Sequence, residues 1–162
     1  MLDKFFFNNK LIVILFHVVI GFLAIFSFFP KVYAIVTIAA GVFIIYNTKN
    51  RDEEAFYLSG YIVGLEVFSR MTNGFFFYET GKYAVILFLL IGMFFGPIRQ
   101  KFSVAYVFYL LLLLFGVVFT QIPEGESIRN AILFNLSGPI VLGISALYFY
   151  KREVSKRHLL NA

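Results

Sequence analysis

Three stretches of this chain, 11–29, 102–120 and 131–150, run 19 or 20 residues without a single Asp, Glu, Lys or Arg. A helix needs about 20 mainly apolar residues, with roughly 17 at the lower end, to cross a hydrocarbon core. The backbone of such a segment must bond to itself, because lipid offers no partners. Further apolar stretches at 32–46, 55–71 and 83–98 bring the set to six. The polar breaks between them are short, which favours antiparallel neighbours. The expected fold is all-α: one polytopic integral-membrane helical bundle spanning 1–162, with about six transmembrane helices. Pro30 and Lys31 are expected to close the first span, and Gly96-Pro97 the fourth.

Composition agrees with a membrane protein. Of 162 residues, 60% are hydrophobic and only 14% charged, with a mean hydropathy of +0.85; soluble domains carry about a quarter charged residues. There is no Cys, so the chain has no disulfide, thiol nucleophile or Cys-based metal site. The net charge of +5 is spread as punctuation between apolar runs, which suits topology determinants and argues against nucleic acid as a partner. Tyr33, Tyr46, Tyr78, Tyr83, Tyr148 and Tyr150 fall near expected span ends, where an interfacial aromatic belt would lie.

Lys and Arg set the orientation. With six spans, ten fall on one side (Lys4, Lys10, Lys49, Arg51, Arg99, Lys101, Lys151, Arg152, Lys156, Arg157) and four on the other (Lys31, Arg70, Lys82, Arg129). If the third segment did not cross, the tally would be seven against seven. The bias therefore argues that the third segment spans and that both termini are cytoplasmic. The implied location is a membrane, with the lipid bilayer as first partner.

The third segment and its sequel, 61–83, read YIVGLEVFSRMTNGFFFYETGKY. Charge within an apolar helix is costly and usually has a partner or a task. At about 100° per residue, Ser59, Glu66, Arg70 and Asn73 share one narrow arc. Glu66 and Arg70 are four residues apart and can pair. Two readings of that pair stay open: a structural ion pair, or Arg70 as an anion contact oriented by Glu66, since a guanidinium fork suits phosphate. Glu79 and Lys82, three apart, are expected to pair at a helix end. Gly81 is expected to break the chain before the next helix. Gly60 and Gly64 form a GxxxG step on another side of the helix, where a second helix could pack closely.

Other residues draw attention. His17 lies inside the first span, as an interhelical contact or a proton relay. Pro139 follows Asn135 and Ser137 in the sixth span, where it would kink the helix. The loop before that span carries Glu124, Glu126 and Arg129, with Ser127 as a helix N-cap; Arg129 is a second candidate anion contact. No phosphate-binding glycine loop or metal-ligand motif is present, so neither a metal nor another cofactor is expected.

The run at 61–83 resembles the N-terminal membrane region of the O-antigen ligase and O-antigen polymerase family, of the Bacteroidota type. The run at 130–160, NAILFNLSGPIVLGISALYFYKREVSKRHLL, resembles the same family further along. The resemblance implies a metal-independent inner-membrane glycosyltransferase of lipopolysaccharide and surface-polysaccharide assembly. Such a protein handles a polyprenyl-diphosphate-linked glycan at the periplasmic face, where arginines bind the diphosphate. Arg70 is the residue that the resemblance carries over. Family members have more spans and a large late periplasmic loop, so the chain is expected to be an N-terminal portion, inactive alone. Two other readings stand beside this one. One is a non-catalytic membrane subunit that meets a protein partner through Gly60 and Gly64. The other is a small transporter using His17, Glu66 and Pro139.

Overall fold

The computed structural model describes residues 10–75, 77–96, 103–122, 125 and 127–150. Several residues used above lie outside that set: Lys4, Arg99, Lys101, Lys151, Arg152, Lys156 and Arg157 of the charge tally, the loop acids Glu124 and Glu126, and Pro97. The described residues form six helices and no strand. They are α1 (Lys10–Leu23), α2 (Phe29–Thr48), α3 (Glu54–Thr72), α4 (Thr80–Phe95), α5 (Val104–Val118) and α6 (Ile128–Phe149).

Two of the six expected spans, α2 and α6, are helices long and apolar enough to cross a membrane, at 20 and 22 residues. The helices α1, α4 and α5 are apolar but shorter, at 14, 16 and 15 residues. At ~1.5 Å per residue, α5 is about 22 Å long against a hydrocarbon core of roughly 30 Å. The helix α3 has the length, at 19 residues, but carries Glu54, Glu66 and Arg70.

Two expected breaks fall elsewhere. The first helix stops at Leu23, and Pro30 stands in the first turn of α2 instead of closing α1. A first-turn proline sacrifices no intrahelical bond, because the N–H it lacks would have been unpaired there. Gly81 lies inside the first turn of α4, not before it. It is small because Glu66 and Phe75 press on it: a Cβ there would come within 3.2 Å of Glu66 Oε2.

The central helix is α4, which packs against α2, α3 and α6. Its Phe88 is fully buried and occupies the space a side chain at Gly41 of α2 would need, 2.3 Å from where that Cβ would be. The helix α5 leans on α6, where Leu110 Cδ2 comes within 2.6 Å of the Cβ position of Gly143. The helix α1 is peripheral, with Ile20 its only buried residue. The large apolar side chains that stay exposed are spread over all six helices.

Neighbouring turns group at two ends. Gly74, after α3, sits against Pro30 at the start of α2, and the Arg129 guanidinium lies 5.6 Å over the Phe77 ring. The charge tally of the sequence would put this end outside the membrane, and it is called the outer end, the opposite one the inner end. At the inner end Tyr46 meets Phe95 edge-on at 5.2 Å, and the Lys49 ammonium sits 4.1 Å over the Tyr46 ring.

The inner end is tied by a buried polar knot. Asn50, only 2% exposed, donates through Nδ2 to the Gly92 carbonyl at 3.1 Å and to Tyr148 Oη at 3.0 Å. Its Oδ1 accepts from the Ala55 N–H at 2.9 Å. Tyr148 Oη in turn donates to Glu53 Oε2 at 2.6 Å. Lys49, Asn50 and Glu53 all take left-handed φ values of 56°, 52° and 59° to make the turn. Such a conformation costs a non-glycine residue roughly 1–2 kcal/mol, and Asn tolerates it best. The hydrogen bonds of the knot offset that cost. Tyr148 is accordingly a fully buried core residue rather than a member of an interfacial belt.

Gly92 is the tightest point of the knot. A Cβ there would stand 2.6 Å from Ala55 Cβ and 2.9 Å from Asn50 Nδ2. Gly92→Ala is expected to lower stability by about 1–3 kcal/mol, the range for overpacking a filled core. Gly64→Ala, with nothing within 4 Å of its Cβ position, is expected to be neutral or slightly stabilising. Thermal unfolding of the two variants in detergent checks the contrast, and equal midpoints would contradict it.

Candidate functional site

The outer end gathers the charges singled out in the sequence. Glu66 and Arg70 pair along α3: Arg70 Nη2 donates to Glu66 Oε1 at 2.5 Å and Nε to the same oxygen at 3.2 Å. Arg70 Nη1 donates to Tyr78 Oη at 2.5 Å, and the guanidinium lies 4.0 Å over the Tyr78 ring. Three of its five N–H groups are therefore committed within the chain. The polar stripe on which the pair sits has Ser59 buried and Glu66 against Gly81 of α4. Asn73 leaves the stripe to cap α3 in a left-handed conformation, φ 54°, where Asn is favoured.

Glu79 and Lys82 do more than pair at a helix end. Glu79 is 6% exposed, and Lys82 Nζ reaches its Oε2 at 2.6 Å. The same ammonium donates to Ser137 Oγ of α6 at 2.9 Å, which ties α4 to α6. Ser137 is itself 4% exposed. Burying the two charges costs hydration, and mutual contact with the extra hydroxyl offsets that cost.

Between α4 and the start of α6 opens a cleft of about 1010 Å³. Phe77, Tyr78, Glu79 and Tyr83 line one side, and Arg129, Asn130, Phe134 and Asn135 the other. Ser127 caps α6 by accepting from the Asn130 N–H at 3.2 Å. Arg129 is exposed in the cleft and, among the described residues, has no carboxylate partner. Arg70 does not line the cleft, because Tyr78 stands between. Glu79 is neutralised by Lys82, so among the described residues the remaining cation of the lining is Arg129.

Below the cleft lies an apolar crevice of about 200 Å³, walled by α4, α5 and α6. Its lining is hydrocarbon and aromatic apart from the Tyr83 hydroxyl and Ser137. Tyr83 and Leu133 line both spaces, so the crevice and the cleft adjoin. A ligand with an anionic head and a hydrocarbon tail matches this pair of spaces, because each part meets its own kind of surface.

The remaining candidates lie away from the cleft. His17 Nδ1 bonds the Val13 carbonyl at 2.8 Å and must carry the proton there, since a carbonyl only accepts. In the neutral imidazole Nε2 then accepts from Tyr61 Oη at 3.1 Å, and Tyr33 Oη donates to Tyr61. This chain of three side chains joins α1 to α3 and α2. Gly60 and Gly64 face open space, with nothing within 4 Å of either Cβ position, so no described helix uses the step. The helix α6 continues through Pro139, whose carbonyl accepts from Tyr109 Oη at 3.4 Å. Among the described residues no cluster of three or more His, Cys, Asp or Glu side chains could hold a metal.

Sequence reasoning did not find the knot of Asn50, Glu53, Gly92 and Tyr148, nor the Lys82–Ser137 bond. Asn50 and Tyr148 are 98 residues apart, and no periodic signal links such positions. The one local cue was an Asn in a short turn between helices. The chain matches no family model, no curated protein and no solved structure.

The two outer pairs differ in burial, and their removal should differ accordingly. Glu79→Ala leaves Lys82 with Ser137 alone and is expected to cost about 1–3 kcal/mol. Glu66→Ala, beside a guanidinium that is 39% exposed, is expected to cost less. Thermal midpoints of the two variants in detergent check the order, and the reverse order would contradict it.

Proposed function

We propose that this chain is a multi-pass inner-membrane protein of surface-polysaccharide assembly that holds a lipid-linked anion at the periplasmic end of a six-span bundle. The head of the ligand meets Arg129 in the outer cleft, and its hydrocarbon chain lies in the crevice between α4, α5 and α6. Resemblance to the O-antigen ligase family names the chemistry: a polyprenyl-diphosphate-linked glycan. The role proposed for this chain is binding.

The observation that carries the reading is the junction at Tyr83 and Leu133. A cleft lined by Arg129, which has no carboxylate partner among the described residues, adjoins an apolar crevice there. Neither space alone calls for a lipid; an anionic amphiphile uses both.

Membrane placement rests on three supports. The bundle presents large apolar residues outward, among them Phe22, Phe43, Leu114, Phe115 and Leu142. Two helices have the full length, and two of the shorter ones continue into exposed apolar residues: α1 into Ile25, Phe26 and Phe28, and α5 into Phe119. A bilayer can also thin by a few ångströms around short segments at modest cost. The tally of Lys and Arg along the sequence, ten against four, is what supports the orientation.

Arg70 takes a supporting part. It clamps Tyr78, which forms the cleft wall, and its two uncommitted N–H groups sit behind that wall. Arg129 is the direct contact. The test is equilibrium binding of a fluorescent polyprenyl diphosphate to the full chain in lipid nanodiscs. Arg129→Ala is expected to weaken binding about tenfold or more, as loss of a charge-assisted hydrogen bond would. Lys31→Ala, an exposed cation of the same end outside the cleft, is expected to leave it unchanged. Equal affinity of the Arg129→Ala variant and the parent would overturn the assignment.

A further inference from the structure

The helix α6 is held very differently on the two sides of Pro139. On the inner side Gly143, Ile144, Leu147 and Tyr148 are buried, and Tyr148 is locked in the Asn50 knot. On the outer side, within 128–138, only Ala131 and Ser137 are buried. Under this outer half lies the crevice rather than a packed core. A void of that kind forfeits the dispersion contacts its lining would otherwise make, so the outer half is the weakly held part of the helix.

Two features at the boundary favour bending. Pro139 has no N–H, so the carbonyl four residues earlier, at Asn135, loses its helical donor. Gly138 beside it has nothing within 4 Å of its Cβ position, so no neighbour restrains the backbone there. Proline and an adjacent small residue are the usual seat of a helix hinge.

One hydrogen bond ties the outer half to another helix among the described residues: Lys82 Nζ to Ser137 Oγ, 2.9 Å. Ser137 lines the crevice, while Glu79, the other partner of Lys82, lines the cleft. Lys82 therefore sits where the two spaces are joined.

We propose that residues 128–138 form a gate, hinged at Gly138–Pro139 and latched to α4 by Lys82 and Ser137, whose opening admits a hydrocarbon chain sideways from the bilayer into the crevice. The proposal rests on the lipid-binding reading above for what passes the gate, but not for whether the gate exists. A long chain threaded end-on through the polar cleft would have to pass Glu79, Arg129 and Asn135. A lateral route meets mostly apolar walls, with Lys82 and Ser137 at its edge. With Lys82 held by Glu79, the latch breaks at the weaker bond to Ser137, and the ammonium keeps its carboxylate while the gate is open.

The chain has no Cys, so spin labels can be placed without first removing any. Label pairs at Leu87 with Phe134 and at Leu87 with Leu142 report the outer and inner halves of α6; all three sites are exposed. Distances are measured by double electron–electron resonance on the full chain in lipid nanodiscs, with no ligand added. Ser137→Ala is expected to shift the Leu87–Phe134 distance to longer values and broaden it, with the Leu87–Leu142 distance unchanged. Adding Pro139→Ala to Ser137→Ala is expected to narrow the outer distribution again by restoring a continuous helix. An outer distance that ignores Ser137→Ala, or two distances that broaden together, overturns the gate. Because no ligand is present, that failure is separate from a failure of Arg129→Ala to weaken binding.

Discussion

The bundle is organised by the exclusion of charge from its middle. Every Asp, Glu, Lys and Arg among the described residues lies within two helical turns of one end. Between the ends the helices meet through Phe88, Ile62, Leu89 and Ile45, all buried, and present apolar side chains outward as well. Close fits such as Phe88 over Gly41 and Leu110 over Gly143 set how the helices interlock along the middle. Directional polar contacts are left to the two ends, and each end makes them in its own way.

The inner end is closed. Asn50 has both amide protons and its carbonyl oxygen engaged, and Tyr148 passes the network on to Glu53. Gly92 lets the three elements come together at van der Waals limits. Among the described residues the outer end is tied by the Glu66–Arg70 pair of α3, the bond from Arg70 to Tyr78, the Glu79–Lys82 pair at the start of α4 and a single hydrogen bond to α6. What is left between those ties is the cleft, with Arg129 exposed in it and a hydrocarbon-lined space beneath. A rigid inner end with a looser outer end is the arrangement expected of a protein that receives a ligand from one side, since binding segments belong to the weakly held part of a fold.

Local features were legible in the sequence because their causes are local. Apolar runs mark the helices, and spacings of three and four bring Glu79 to Lys82 and Glu66 to Arg70 on the turn of a helix. Ser127 heads α6 because a hydroxyl there meets the Asn130 N–H. Pro30 and Gly81 are instructive exceptions. Both were read as breaks, yet proline fits a first helical turn as well as it ends a helix, and Gly81 is set by a carboxylate pressing from α3. The contacts that distinguish the two ends were not legible. Lys82 finds Ser137 across 55 residues, and Asn50 finds Tyr148 across 98. Arg70 looked free to meet a ligand because nothing in its neighbourhood on α3 says that Tyr78 folds back over it. Arg129, read as the lesser candidate, is the cation that faces the cleft.

The account stands on the two ends facing opposite sides of a bilayer. Single cysteines in place of Arg51, in the inner turn, and Ile122, beyond α5 toward the outer end, test this directly, since both sites are exposed and the chain has no other thiol. In intact spheroplasts a membrane-impermeant maleimide should label the Ile122→Cys variant at once and the Arg51→Cys variant only after lysis. Labelling of both from the same side, or recovery of the chain in the soluble fraction, would contradict the bundle as a membrane-crossing unit with its cleft on the periplasmic face.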